Sequence, residues 1–222
     1  MKKHSVHIAC AKAFGTAAFL AASAFPVAAQ SDFSLKLGAA RAVFDEKAEF
    51  SVAGAPFPGS GATVSDSTTL GFELTYRLSD SVRLGLAGGL PLTATVSGTG
   101  SLSPAGELGK VKYAAPILTA QYHFAPTAGF QPYVGAGVLY FVSLRSQNGA
   151  VQQFDVDNKF GTALQAGVSY KVTPTISVFA DYKKLFVKTD ARGVAPALGG
   201  APVSARVTLN PSVYQIGVGF DF

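Results

Sequence analysis

The 222-residue sequence contains a single cysteine, Cys10, and three histidines, two of which, His4 and His7, stand in its first ten residues. Beyond residue 29 there is no cysteine, which excludes disulfides and thiolate metal sites from that part of the chain. Charge is also scarce, at 14% of residues. The formal net charge is +5, but three of the 18 basic residues are Lys2, Lys3 and Lys12; without them 15 basic residues face 13 acidic ones. That near-balance argues against bulk nucleic-acid binding. After the first segment, no apolar run approaches the roughly 18 residues that a membrane-spanning helix needs.

What is present starts with a leader. The N-terminal lysines precede an apolar run over residues 13–25 and the small-residue stretch Pro26-Val27-Ala28-Ala29. A basic start, an apolar segment too short to span a bilayer and a small-residue site predict a secretory signal peptide, residues 1–29, cleaved after Ala29. Residues 30–222 are then the functional domain, and Cys10 leaves with the leader.

From Phe33 onward the chain breaks into segments of alternating polarity separated by turn residues. Strands are predicted over 33–44, 69–79, 82–92, 110–124, 133–143, 161–172, 175–189 and 206–222. The last is the clearest: Tyr214, Ile216, Val218, Phe220 and Phe222 fall on one face, Gln215, Gly217, Gly219 and Asp221 on the other. A soluble sheet can alternate in this way. Eight segments edged with aromatics suit a membrane barrel better, eight being the smallest even strand number on which such barrels are built. The expected fold is all-β: an eight-stranded antiparallel transmembrane β-barrel. Short periplasmic turns are expected near 79–81, 125–131 and 173–175, and long extracellular loops near 45–68, 91–109, 144–160 and 190–205.

Charge on a lipid-facing position is costly, so the polar set of each strand should point inward. The predicted lumen then has two halves. Arg77, Arg83, Gln121, His123, Lys171, Asp181 and Asp221 form a polar plug toward the periplasm. Tyr113, Ile117, Leu139, Phe141, Leu185 and Val187 form an apolar cup above it. Outward Tyr76, Tyr122, Phe124, Tyr170, Phe220 and Phe222 collect as a periplasmic aromatic girdle. An eight-stranded bore holds side chains or one small ligand, which argues against an open water channel; inward glycines either leave room for a ligand or relieve crowding. Pro91 and Pro116, on neighbouring strands, cannot donate ladder hydrogen bonds. They mark either a lateral seam or ordinary strand ends and a bulge.

Four stretches carry a resemblance: Ala120-Gln-Tyr-His-Phe124, Gln131-Pro-Tyr-Val-Gly-Ala-Gly-Val138, residues 160–170 and residues 209–220. They resemble the OmpW family of outer-membrane barrels, including its AlkL-like importers, over essentially the whole mature chain. The resemblance implies a hydrophobic cavity that passes small apolar molecules across the outer membrane of a Gram-negative bacterium, with no enzymatic activity and no cofactor. It also implies that Phe222 is read by the outer-membrane assembly machinery. Phe160 stands where some members carry a tryptophan that narrows the cavity, although alternation points Phe160 outward.

Other signals are weaker. Gly135-Ala-Gly137 and Gly217-Val-Gly219 lack the third glycine and the helix of a dinucleotide fingerprint. Asp155-Val-Asp157-Asn158 lacks the central glycine and terminal glutamate of a calcium loop. His123 could serve a barrel hydrolase as a base, but its lower-lumen position fits a hydrogen-bonded structural histidine. Lys110, Lys112, Arg145, Lys159, Lys184, Lys188, Arg192 and Arg206 gather near the extracellular rim, where lipopolysaccharide phosphates or simple solvation would suit them. The alternative to a transport barrel is a structural or adhesive one whose loops bind other proteins.

Overall fold

The computed structural model describes residues 32–222, so the predicted signal peptide lies outside the described residues. Fifteen strands follow in chain order: β1 (Phe33–Val43), β2 (Glu46–Val52), β3 (Ala55–Pro56), β4 (Ser60–Val64), β5 (Ser67–Arg77), β6 (Val82–Gly89), β7 (Leu92–Gly100), β8 (Glu107–Ala114), β9 (Ile117–His123), β10 (Phe130–Asn148), β11 (Gln152–Val156), β12 (Lys159–Lys171), β13 (Ile176–Ala195), β14 (Ala201–Leu209) and β15 (Ser212–Asp221). Eight of them close a ring. β1 pairs with β5, then β6, β9, β10, β12, β13 and β15 follow, and β15 returns to β1, every pairing antiparallel. Closure leaves no sheet edge in the ring, which is what allows a sheet to sit in lipid.

Facing follows the pleat. In β5, Leu70, Phe72, Leu74 and Tyr76 are exposed while Gly71, Glu73 and Thr75 between them are buried. β9 alternates in the same way, with Ile117, Thr119, Gln121 and His123 inside. The outside of the ring is therefore apolar and the inside mixed, the reverse of a soluble barrel.

The predicted long loops are mostly sheet. β10 and β13 run 19 and 20 residues, about twice the 9–11 that cross a bilayer. Their upper halves rise above the ring and acquire new partners. β8 joins β10, followed outward by β7 and β4; β11 and β14 join β13, followed by β2 and β3. These strands form because inward apolar alternation continues past the ring, through Val111 and Tyr113 on one side and Val187 and Leu209 on the other. The lower connections are tight, and in one of them Thr173 Oγ1 accepts from the backbone of Ile176 at 2.9 Å.

Three predicted strands need correction. Residues 110–124 divide into β8 and β9 around Ala115-Pro116, residues 206–222 divide into β14 and β15 around Asn210-Pro211, and residues 82–92 end as β6 at Gly89. Proline is the common cause, since it removes a ladder donor. At each divided strand the neighbour still uses the proline carbonyl: Tyr140 N–H donates to Pro116 (3.1 Å) and Leu185 N–H to Pro211 (3.0 Å).

Candidate binding site

The lower lumen is filled by a connected polar network. Glu73 Oε1 accepts from Lys36 Nζ (3.4 Å) and Gln121 Nε2 (3.1 Å), and its Oε2 from Lys183 Nζ (3.0 Å) and Gln165 Nε2 (2.9 Å). Asp181 accepts from Lys183 Nζ (2.5 Å), Tyr133 OH (2.6 Å) and Gln165 Nε2 (2.7 Å). Two lysines thus balance two carboxylates, with Glu73 1%, Lys183 2% and Lys36 5% exposed. Burial on this scale is tolerable only because each charge is paired and hydrogen-bonded. Lys36 Nζ also lies 3.9 Å from the centre of the Tyr133 ring.

His123 stacks on Tyr133 at 4.8 Å, and its Nε2 is bonded to Gln121 Oε1 (3.1 Å). It is a wall group of the network. Below it, Lys171 Nζ reaches Asp221 at 3.4 Å, and Arg83 stands opposite Arg77 across the β5–β6 pair. Of the residues expected in the plug, Gln121, His123 and Asp181 belong to the buried network. Arg77, Arg83, Lys171 and Asp221 form its lower mouth. Lys36, Glu73, Tyr133, Gln165 and Lys183, which carry much of the network, were absent from the predicted plug, although the inward polar sets of their strands include Glu73 and Gln165.

Above the network the lumen turns apolar. A lower chamber with about 880 Å³ of empty space, including its open mouth, lies between Ile117, Leu139, Leu185 and Val187, with Lys183 and Gln215 at its floor. An upper chamber of about 780 Å³, similarly open, is lined by Val111, Phe154, Val156, Ala205 and Val207 in the extension sheets. Phe44, Tyr113, Phe141 and Leu209 line both chambers. The ring centres of Tyr113 and Phe141 are 5.6 Å apart, nearly parallel, and Phe44 meets Tyr113 edge-on at 6.3 Å. All six residues expected in the cup line one or both chambers. The upper chamber went unforeseen because much of its lining, including Val64, Val96, Phe154 and Val156, comes from segments read as loops.

The lower chamber meets interrupted strand pairing in the barrel wall beside Pro91 and Pro116 and again beside Pro211. β6–β9 pairing ends at Ala87–Ile117, and β7–β8 pairing resumes at Leu92–Tyr113. Between them Gly88, Gly89 and Leu90 face Ala115 across an unpaired stretch, all four lining the chamber, with Pro91 and Pro116 at the same level. Each side's backbone turns away from the gap: Leu90 N–H donates to Leu70 (3.1 Å), and the Pro116 carbonyl serves Tyr140. The second break, at Asn210-Pro211, is bridged by Asn210 N–H to Asp45 at 3.3 Å.

This closed eight-membered ring with extended upper strands has known relatives. A model of the OmpW family matches residues 29–222. The chain belongs to the OmpW family. It is 34% identical over 195 residues to the dibenzothiophene metabolism operon protein PahQ of Pseudomonas aeruginosa, covering 88% of this chain and 90% of that one. Among solved structures it resembles outer membrane protein OprG of Pseudomonas aeruginosa, with 27% identity, a TM-score of 0.81 and coverage of 86% and 96%. It also resembles AlkL in lipid bilayers, with 27% identity, a TM-score of 0.70 and coverage of 90% and 96%.

As an OmpW-family barrel the protein resides in the outer membrane of a Gram-negative bacterium. The outward aromatics mark where the headgroups lie. Toward the periplasm these are the pairs Phe33–Tyr76, Tyr122–Phe124 and Phe130–Tyr170; toward the outside they are Tyr140–Phe160 and Tyr182–Tyr214. Phe160 is 77% exposed on the lipid side, so it does not take the cavity-narrowing place that the family resemblance suggested. Several rim cations are committed to carboxylates: Lys110 to Glu107, Lys159 to Asp190 and Asp157, Arg192 to Asp157 and Arg206 to Asp190. Asp157 thus faces cations, an arrangement unlike a calcium site. Lys184 Nζ donates to the Asn210 carbonyl at 2.6 Å. Lys112 and Arg145 stand opposite one another on the outer face of the β8–β10 pair, where a bulge after Ser143 turns Arg145 away from the upper chamber.

Proposed function

We propose that the barrel takes up small apolar molecules from outside, holds them in the two chambers, and releases them sideways into the membrane between β6 and β9. One observation carries this reading: an apolar passage ends on a floor of buried, mutually neutralised charge, while the wall beside that floor lacks its ladder bonds at Pro91 and Pro116. An apolar solute meets a steep desolvation cost below, because the paired carboxylates and lysines there would have to give up partners. Sideways it meets lipid. The name of PahQ, which places that relative in a dibenzothiophene metabolism operon, agrees with an apolar cargo.

Two variants test the reading in lipid vesicles that enclose a solute-trapping phase. Leu139→Asp puts a charge into the lower chamber and is expected to abolish flux of an apolar solute. A disulfide across the gap, Gly89→Cys with Ala115→Cys, is expected to slow flux when oxidised and restore it when reduced; residues 30–222 contain no competing thiol. Unchanged flux in a correctly folded Leu139→Asp barrel would refute chamber passage, and unchanged flux on oxidation would refute lateral release. Lys112 and Arg145 suit the phosphates of lipopolysaccharide as a partner of the outer rim.

A further inference from the structure

Tyr113 brings a polar group to the point where the two apolar chambers meet. It is 8% exposed, and its hydroxyl oxygen is buried without a well-formed hydrogen bond among the described residues. Ser67 is near enough to offer at most a weak contact, and its Oγ turns toward the Ser65 carbonyl (3.5 Å). A buried, unsatisfied hydroxyl is costly to keep. Phenylalanine would stack on Phe141 and meet Phe44 equally well without that cost, so the ring contacts alone do not account for a tyrosine here.

Position supplies the reason. Tyr113 lines both chambers, so a solute moving from one to the other passes its ring and its hydroxyl. Phe44, Tyr113 and Phe141 offer flat and edge-on aromatic surface within one neighbourhood, which favours a planar ring over a flexible chain. A phenolic hydroxyl donates more readily than it accepts, and in a low-dielectric chamber that donated bond is strengthened.

We propose that Tyr113 selects for planar aromatic solutes carrying a hydrogen-bond acceptor, such as a ring nitrogen or oxygen, by donating to that acceptor while the solute stacks among Phe44, Tyr113 and Phe141. This rests on the proposed passage of apolar solutes and names their class. It makes Tyr113 a specificity residue: a site that is built to hydrogen-bond a solute rejects the analogue lacking the group more sharply than an apolar pocket can.

The test compares naphthalene with quinoline, two rings of nearly equal shape that differ by one acceptor nitrogen. Dissociation constants for the barrel in lipid nanodiscs are measured by NMR titration, at mildly alkaline pH where quinoline is neutral, for the native chain and Tyr113→Phe. The ratio of ratios cancels each solute's own partitioning into lipid. Loss of one hydrogen bond predicts that the preference for quinoline falls by about threefold to tenfold in Tyr113→Phe, with naphthalene affinity unchanged or slightly improved. Unchanged naphthalene affinity also shows that the variant is folded. A ratio that does not move overturns the assignment, including the case in which water satisfies the hydroxyl. A second variant, Phe141→Leu, is expected to weaken both aromatics relative to cyclohexane; equal weakening of all three would overturn the stacking element. If neither aromatic binds the native barrel while Leu139→Asp leaves vesicle flux unaltered, the passage itself is refuted; intact flux with an unmoved ratio refutes only the role of Tyr113.

Discussion

Glu73→Gln is the sharpest perturbation of the lumen, because it changes one charge and almost no volume. In the native network two lysines balance two carboxylates. After the substitution Lys183 keeps Asp181, but Lys36 loses its carboxylate at 3.4 Å and retains the faces of Tyr133 and Phe179 at 3.9 and 5.5 Å. Removing one partner of a buried pair costs about 3–5 kcal/mol. The cation–π attraction is present before and after, so it offsets nothing, while the new amide still offers one acceptor oxygen to Gln121 or Gln165. The expected loss is therefore about 3 kcal/mol, the low end of that range. Adding Lys36→Met restores charge balance around Lys183 and Asp181 and should recover most of it, since replacing a whole buried pair by apolar groups is close to neutral. Urea unfolding of the barrel in lipid vesicles, followed by heat-modifiable gel mobility, measures both variants. A Glu73→Gln barrel within about 0.5 kcal/mol of native, the range of an ordinary surface change, would refute the reasoning. So would a double variant no more stable than the single one.

Other outcomes follow from the same geometry. A Cβ at Gly137 would run into the Leu118 carbonyl and the backbone of Thr119, so Gly137→Ala should cost about 1–3 kcal/mol in the same unfolding assay through forced backbone movement. At the outer rim, Lys159 lies 3.0 Å from Asp190 and holds its carboxyl below the usual carboxylate range. The stabilisation from this depressed group is fully present above the ordinary value of about 4 and is lost as pH falls through the folded-state value. Asp190→Asn should flatten that acid limb of the stability profile, and high salt should shrink the difference because the pair is exposed. Phe222, half-exposed with its N–H donating to Phe33 at 3.1 Å, is expected to matter for assembly more than for stability. Phe222→Ala should slow appearance of folded barrel in cells while leaving refolding into vesicles unchanged; equal slowing in both would remove the assembly role.

How much of this was legible in the sequence depends on which interactions are local. Period-two alternation and the cost of charge in lipid sufficed to turn Gln121, His123 and Asp181 inward and Phe160 outward, because facing is a property of the pleat at each residue. The ring of eight and its short turns followed from the same pattern. The extension strands did not. Residues 45–68 and 190–205 are rich in Gly, Ser, Thr and Ala, which read as loop until upper β10 and β13 supply edges for them to pair with.

The adjacent pair Lys183 and Lys184 shows where local reading stops. Alternation through Asp181, Leu185 and Val187 turns Lys183 inward and Lys184 outward, but only the register of β13 against β12 and β15 decides that Lys183 joins the network while Lys184 reaches the Asn210 carbonyl. Lys36 and Glu73 face each other in the β1–β5 register, whereas Lys183 reaches them across the lumen only because the ring closes. Tyr113 reads as one more apolar lining residue until the fold buries its hydroxyl without a well-formed hydrogen bond among the described residues. By itself the sequence determined which face of each strand meets lipid, since that preference is felt residue by residue. Which inward groups touch, where the lumen changes from charge to oil and where the wall is left unpaired were decided by tertiary structure, because each depends on the register of several strand pairings closing together.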